Sequence, residues 1–248
     1  MARGAQDRGK RIAFGDGRKI IWDQHSREIF RKNKNIAIPG TERQSDVEWI
    51  HFYKGNRLYN KYAGNRWIWN REFKAIPGEI VFDKEEIDFS KRIKPGFILI
   101  EPNVPWHKTV APNKDWGKAK HQAVANELSS KGYEVAQFSY GPVRLSGARV
   151  IQVSSFREAA IALTRSRMAI LPEGGLHHAA AAVGARAVVI FGGFIPPSVT
   201  GYDGHTNLTG GAEACGSLSP CQHCKAAMDR ISVEEVMAAA QGYLKVDA

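Results

Sequence analysis

Met168-Ala-Ile-Leu-Pro-Glu173-Gly174-Gly175-Leu176-His177-His178-Ala-Ala-Ala-Ala-Val-Gly184, followed by Ala187-Val-Val-Ile-Phe191-Gly192-Gly193, is the stretch whose reading decides the fold. Short apolar runs flank a small-residue segment that is punctuated by glycine on both sides. That pattern predicts a buried strand, a two-glycine turn, an alanine-rich helix, a glycine stop and a second buried strand, a strand–helix–strand unit with a parallel pair. Gly174 and Gly175 let the chain turn and leave unpaired amide N–H groups at the helix start, where free donors and the helix dipole both favour an anion. Glu173 precedes those donors and His178 follows one turn inside, so two polar groups flank a candidate phosphate pocket. A packed α/β turn with an incidental histidine accounts for the same residues.

Outward from this unit the strand–helix alternation continues. Phe97-Ile-Leu-Ile100 reads as a buried strand, Lys118 to Lys131 as a helix with Val124 and Leu128 inward, Tyr133 to Phe138 and Ala148 to Val153 as strands, and Phe156 to Ser166 as a helix. Ser232 caps a last helix that carries Glu234 and Glu235 in its first turn. Together these predict an α/β fold with a doubly wound parallel sheet. Near the start, Arg11-Ile-Ala-Phe14 reads as a strand, Gly15-Asp16-Gly17 as a turn, about Arg18 to Lys32 as a helix, and Asn35-Ile-Ala-Ile38 as a strand ending at Pro39-Gly40. Residues 80–95 read as a charged connector ending at Pro95-Gly96. This places a domain boundary between a small basic domain over 1–94 and a larger nucleotide-binding domain over 95–248.

The 248 residues carry a formal net charge of +10, unevenly placed: residues 1–95 hold 21 Lys and Arg against 13 Asp and Glu, the remainder 14 against 12. A basic half beside a near-neutral half points to an anionic partner for the first half, or to lysines that keep a small domain soluble. Trp49 to Lys74 interleaves Trp49, Phe52, Tyr53, Tyr59, Tyr62, Trp67, Trp69 and Phe73 with Lys54, Arg57, Lys61, Arg66, Arg71 and Lys74. Aromatic faces alternating with cations suit sugar rings, nucleobases or phosphate-bearing polymers; the same rings would also serve as the core of a small domain. No run approaches the roughly 18 apolar residues of a membrane span, and the N-terminus lacks an apolar signal core, so a soluble cytoplasmic protein is expected. Cys215, Cys221 and Cys224 lie within ten residues. They are candidate ligands of a structural zinc with His223 or His205 as a fourth, or reduced thiols, or a disulfide in a loop.

Glu173-Gly-Gly-Leu-His-His178-Ala-Ala-Ala-Ala-Val-Gly184 resembles the Asp-Thr-Gly-Leu-x-His-x-Ala-Ala-Ala-Leu-Gly signature of the family 9 glycosyltransferases, the bacterial heptosyltransferases. Val189-Ile-Phe191-Gly192 is similar to that family's strand ending in Phe-Gly. Glu173 stands for the family's Asp and Gly174 for its Thr. Lys114-Asp-Trp116 is similar to the family's Lys-x-Trp, and Gly15-Asp16 to the Gly-Asp pair after its first strand. The resemblance covers about 95–245, and 11–38 less closely. It implies the GT-B architecture of two Rossmann-like domains, here with the N-terminal one reduced, and inverting transfer of a hexosyl or heptosyl group from a nucleotide sugar without a metal or any other cofactor.

By the same resemblance, Asp16 would be the catalytic base. Thr109, Lys114 and the amides of Gly174, Gly175 and Leu176 would hold the donor phosphates, Lys108 would add a cation, and Glu173 and His178 would orient phosphate or sugar hydroxyls. Val110 falls where the family has a second hydroxyl. The carboxylate that the family places near the donor ribose, after the strand at 133–138, has no counterpart in Tyr140-Gly-Pro-Val-Arg144. The implied partners are a nucleotide sugar and an anionic saccharide or glycolipid acceptor. Two alternatives remain: a transferase acting on nucleic acid, of the phage type that modifies DNA bases, and a non-catalytic nucleotide-sugar or nucleic-acid binding module.

Overall fold

The computed structural model describes residues 2–53 and 56–245; Lys54 lies outside them, as does the side chain of Tyr53. The elements in chain order are α1 (Ala2–Gln6), β1 (Arg11–Gly15), α2 (Gln24–Ile29), β2 (Val47–Tyr53), β3 (Asn56–Arg57), β4 (Asn60–Ala63), β5 (Arg66–Trp69) and α3 (Lys84–Lys91). They continue with β6 (Phe97–Ile100), α4 (Lys118–Ser130), β7 (Val135–Phe138), β8 (Arg149–Ile151), α5 (Phe156–Ala162), β9 (Ser166–Pro172) and α6 (Gly175–Ala182). The last are β10 (Ala187–Ile190), α7 (Pro197–Thr200), β11 (His205–Leu208), α8 (Gln222–Arg230) and α9 (Val233–Leu244).

The second half is the doubly wound sheet expected from the alternation. Six strands run parallel in the order β11-β10-β9-β6-β7-β8. β6 and β10 are apolar at every position, and β9 is apolar and buried from Met168 to Leu171, because helices cover both faces. Phe97 and Leu99 join one core with Phe138, Ala159, Ala160 and Ala180, while Ile98 and Ile100 join the other with Val124, Leu128, Met237 and Ala240. The chain leaves β6 towards β7 and β8, then returns to β9 on the other side. The sheet therefore has its switch point between β6 and β9, where the two outgoing loops part and leave a crevice.

The first half is a reduced α/β unit. β1 and β2 pair in parallel, and β2 to β5 continue as an antiparallel meander. Its own core is small: Ala5, Ile12, Ile36 and Ile50, with Ala13, Ile20 and Ala37 beside them. Three expectations for this half are corrected. Residues 18–23 are not helical, because Asp16 holds the amides of Arg18 and Lys19 in a turn and Asp23 caps a helix that starts only at Gln24. Asn35–Ile38 forms no strand beyond a single bridge from Ile36 to Ile12. The charged connector contains α3, started by a reciprocal cap in which Asp83 accepts from the Glu86 amide and Glu86 accepts from the Asp83 amide. Among the described residues no helix is long and apolar enough to cross a membrane.

One buried ion pair ties the halves together. Arg157, at the start of α5, is 2% exposed. It grips Glu86 with Nε and Nη2 at 2.6 and 2.8 Å, and its guanidinium also donates to the carbonyls of Glu28 and Val81. Arg31 adds a partly exposed bond to the same Glu86 carboxylate at 2.7 Å. Burial pushes the Glu86 carboxyl up, but Arg157, the Asp83 amide and Arg31 more than offset this and hold it below the usual range. Removing one partner of such a pair strands a buried charge. Glu86→Ala is therefore expected to cost about 3–5 kcal/mol in urea unfolding, and Arg31→Ala, on the wetter side, under about 1 kcal/mol.

Candidate functional site

The crevice at the switch point opens into a cleft of about 1240 Å³, the size class of small-molecule sites or somewhat above it. Gly174, Gly175 and His178 line one side, Lys108 and Lys114 the loop beside it, and residues of β3 to β5 and of the 73–79 segment the opposite side. The amides of the first turn of α6 have no carbonyl within the helix to receive them. Gly174 is extended, with φ 162°, and a Cβ there would meet nothing within 4 Å. The turn thus does not need glycine at 174, and a threonine would fit.

Lys114 ends the short 3-10 turn Ala111–Lys114 in the loop after β6, and pairs with Glu173 at the end of β9. Lys114 is 13% exposed and Glu173 5%. The ammonium also lies over the Phe194 ring, 5.3 Å from its centre. Burial raises the Glu173 carboxyl, but Lys114 outweighs it and holds it below the usual carboxylate range. The lysine is therefore aimed across the helix mouth, not at bulk solvent.

The histidines divide their duties. His177 Nδ1 accepts from the Gly174 amide at 3.2 Å, which assigns the proton to Nε2 and lets it donate to the Thr200 carbonyl at 3.0 Å. Burial, helped by His178, pushes its pKa down to about 3, so it is a neutral structural peg. His178 Nδ1 and the Tyr202 hydroxyl share a 2.7 Å hydrogen bond, and burial holds His178 below the usual histidine range. Burial and Glu173 push the Tyr202 phenol up to about 12.

Other sequence-expected residues sit elsewhere. The exposed Asp16 carboxylate is taken up by the amides of Arg18 and Lys19 at 2.9 and 2.7 Å, which hold it below the usual carboxylate range. It is not among the residues that line the cleft; Glu79, which the sequence reading passed over, is, and it accepts from the side-chain amides of Asn33 and Asn35. Thr109 spends its hydroxyl on the Leu218 carbonyl at 3.0 Å, and Leu176 packs against the core beside α5. Of the aromatic stretch, Tyr59, Trp67, Trp69 and Phe73 face the cleft, and Trp67 and Trp69 also pack on the main core.

The sulfurs of Cys215, Cys221 and Cys224 lie within 4.8 Å of one another, unbridged. Burial pushes the Cys224 thiol up, and the other two sulfurs push it further. His205 is no fourth ligand, for it stands beside His177 and Tyr202 and its Nε2 donates to the Ala185 carbonyl at 3.2 Å. His223 is held by the Glu213 carbonyl at 2.7 Å.

Glu101, at the end of β6, was also missed. It is 1% exposed; one oxygen accepts from the Asn103 amide and side chain at 2.8 and 2.7 Å, and the other has no partner among the described residues. Gly141 makes room for Asn103, since a side chain at that position would collide with it. Burial raises the Glu101 pKa from 4.5 to about 7. The folded chain thus keeps this proton where the unfolded chain has lost it, so the group's stabilisation is complete below about pH 4.5 and disappears as pH rises through 7. Glu101→Gln is expected to leave stability at pH 4.5 nearly unchanged and to raise it by roughly 3 kcal/mol at pH 8, read from urea denaturation at both pH values.

No protein-family model matches the sequence, and no curated protein matches it. Solved structures do. The iron-containing heptosyltransferase TibC of enterotoxigenic E. coli, solved with ADP-D-β-D-heptose, matches with TM-score 0.56 at 16% identity, over 84% of this chain and 61% of its own. A family 9 glycosyltransferase from Veillonella parvula matches with TM-score 0.50 at 17% identity, over 68% of this chain and 54% of its own. The E. coli ADP-heptose lipopolysaccharide heptosyltransferase II matches with TM-score 0.49 at 16% identity, over the same shares. The chain spans about half the length of the last two. The chain thus has a fold similar to that of the heptosyltransferases and family 9 glycosyltransferases.

Proposed function

We propose that this chain is a glycosyltransferase that moves a sugar from a nucleoside-diphosphate donor to a hydroxyl of a saccharide or glycolipid, with inversion and without a metal ion at the reacting atoms. The observation that carries the reading is the open amide mouth of α6, set at the sheet's switch point on a cleft wide enough for two substrates, with Lys114 beside it. A leaving diphosphate gathers negative charge as the anomeric C–O bond breaks. The amides of Gly175 and Leu176, Lys114 and the exposed Lys108 would meet that charge, and His178 would orient a phosphate oxygen or sugar hydroxyl.

In the proposed step the acceptor oxygen bonds to the anomeric carbon while the electron pair of the breaking bond leaves with the diphosphate. The acceptor's proton passes to a carboxylate. Asp16 is the base that the sequence resemblance implies, but its oxygen is committed to a turn; we assign the proton to Glu79, the cleft carboxylate on the acceptor side. A single displacement inverts the anomeric centre.

ADP, UDP and GDP test the donor site directly, because a ligand of the native state raises its melting temperature by mass action. At least one is expected to do so, and Lys114→Ala to abolish the effect; a flat response to all three overturns the reading. Since TibC was solved with ADP-heptose, that sugar is the first donor to assay. With a working donor, Glu79→Gln is expected to lower kcat about 10²–10⁴-fold and Asp16→Asn to leave it within a factor of a few. The opposite result returns the base to Asp16.

We further propose that Cys215, Cys221 and Cys224 hold one structural zinc or iron ion, the metals that soft thiolate sets select. The convergence of the three sulfurs supports this, and TibC is iron-containing. Metal analysis of the purified chain is expected to find about one equivalent, lost in Cys221→Ser together with thermal stability; a metal-free, equally stable protein counts against it.

A further inference from the structure

Two histidines stand side by side in the first turn of α6, their ring centres 4.1 Å apart, and the chain that leaves α7 touches both. The Thr200 carbonyl takes His177 Nε2 at 3.0 Å, and the Tyr202 hydroxyl meets His178 Nδ1 at 2.7 Å. His177 has both ring nitrogens engaged inside the protein. His178 has one. Among the described residues its Nε2 has no hydrogen-bond partner, and that atom is not shut off from solvent. Since His178 and Tyr202 both line the cleft, this second nitrogen opens on it.

The phenol decides where the His178 proton sits. Tyr202 is 6% exposed and keeps its own proton, because burial and the Glu173 charge disfavour the phenolate. Among the described residues the only hydrogen-bond partner of that hydroxyl is His178 Nδ1. An imidazole donating to the phenol oxygen instead would leave the phenol proton buried without an acceptor. The O–H therefore donates to Nδ1, and a neutral ring that accepts there carries its proton on Nε2. The hydroxyl is held in place for this. The Tyr202 ring stands edge-on to His178 and His205, and its carbonyl accepts from the His205 amide at 3.1 Å and the Asn207 side chain at 3.3 Å.

We infer that Tyr202 is a positioning residue: it fixes His178 as the Nε2–H tautomer, so that an uncharged ring presents a hydrogen-bond donor to an anionic oxygen in the cleft. This rests on the transferase reading for the identity of the anion, a diphosphate oxygen beside the α6 amides, and not for the tautomer. Without the phenol the ring would be free to take its proton on Nδ1 and turn a lone pair towards the anion. Lys114 is already matched by Glu173, so the pull on an anion falls to oriented N–H dipoles, and His178 adds one to those of the helix.

Nitrogen-15 NMR of the histidine-labelled full chain reads the tautomer with no ligand present. His178→Ala, one more alanine in an alanine-rich helix, identifies the His178 signals by their loss. A protonated Nε2 and an unprotonated Nδ1 are expected, with the Nδ1–H form emerging in Tyr202→Phe. A proton on Nδ1 in the parent, or a spectrum that Tyr202→Phe leaves unchanged, overturns the inference. ADP or inorganic pyrophosphate is expected to shift the Nε2 resonance, and no shift with either overturns it as well.

Affinity separates positioning from packing. Tyr202→Phe is expected to weaken ADP, or pyrophosphate where no nucleotide binds, roughly fivefold. In a His178→Ala background the same substitution is expected to cost nothing further, because its effect passes through the ring. Full affinity in Tyr202→Phe, or a loss that persists without His178, overturns the inference and spares the donor reading. A pyrophosphate shift at Nε2 in a chain that binds none of ADP, UDP and GDP does the reverse.

Discussion

The ion pair between Lys114 and Glu173 is the constraint on which the cleft depends. It joins the loop after β6 to the loop after β9, the two segments that part at the switch point of the sheet. Without it the crevice would have one fixed lip, made by α6, and one loose lip in the proline- and lysine-rich loop. Both charges are almost out of water, so each needs the other. A glutamate here reaches one methylene further than an aspartate, which suits a loop that must span the mouth. The same pair leaves the resting site close to neutral, with the helix amides as its unspent positive end.

The Arg157–Glu86 pair plays the corresponding part between the halves. The fully buried cores of the first half are limited to a few isoleucines and alanines, with Phe14, Trp22, Phe30 and Trp49 only partly buried against them. This half gains order by leaning on the second half: α3 lies against α5, the Glu28 and Val81 carbonyls accept from Arg157, and Ala75 donates to the Val199 carbonyl. The Asp83–Glu86 cap serves twice, starting the helix and presenting the Glu86 carboxylate to both arginines.

How legible this was in the sequence differed sharply between the halves. Four-residue apolar runs such as Phe97–Ile100 and Ala187–Ile190 are buried on both faces, and helix signals such as Ser232 with Glu235 act locally, so the parallel sheet could be read directly. Glu173, Gly174, Gly175 and His178 were legible as a cluster for the same reason, lying just beyond a strand whose end was clear, and Lys114, named from the family resemblance, is brought to the same cleft. The first half is held by long-range contacts that leave no periodicity. Asp83-x-x-Glu86 was a visible capping signature hidden inside a run of charge. Asp16 was named because Gly15-Asp16 resembles the family's Gly-Asp pair after its first strand; its carboxylate is taken up by the amides of Arg18 and Lys19. Tyr59, Trp67 and Trp69 were read as either core or binding surface; all three line the cleft, and Trp67 and Trp69 also pack on the main core. Glu79, Glu101 and Thr200 carried no local signal, since a lone polar residue acquires meaning only from what the topology sets beside it.

The meander that bears Trp67 and Trp69 does not end in a free edge. The amide of Trp67 donates to the Gly216 carbonyl, the amide of Leu218 to the Asn65 carbonyl, and Asn65 reaches Ser219, so the cysteine loop is stitched to β5 like a partial sixth strand. Gly216 permits this approach with φ 66°, because a side chain there would run into the Trp67 carbonyl. Asn113, one residue before Lys114, is bonded to the same loop. Floor and far wall are thereby riveted through a common strip of backbone, and the molecule resembles a vice with its jaws pinned at a set gap. A ligand that entered would meet a space whose width these backbone bonds already set.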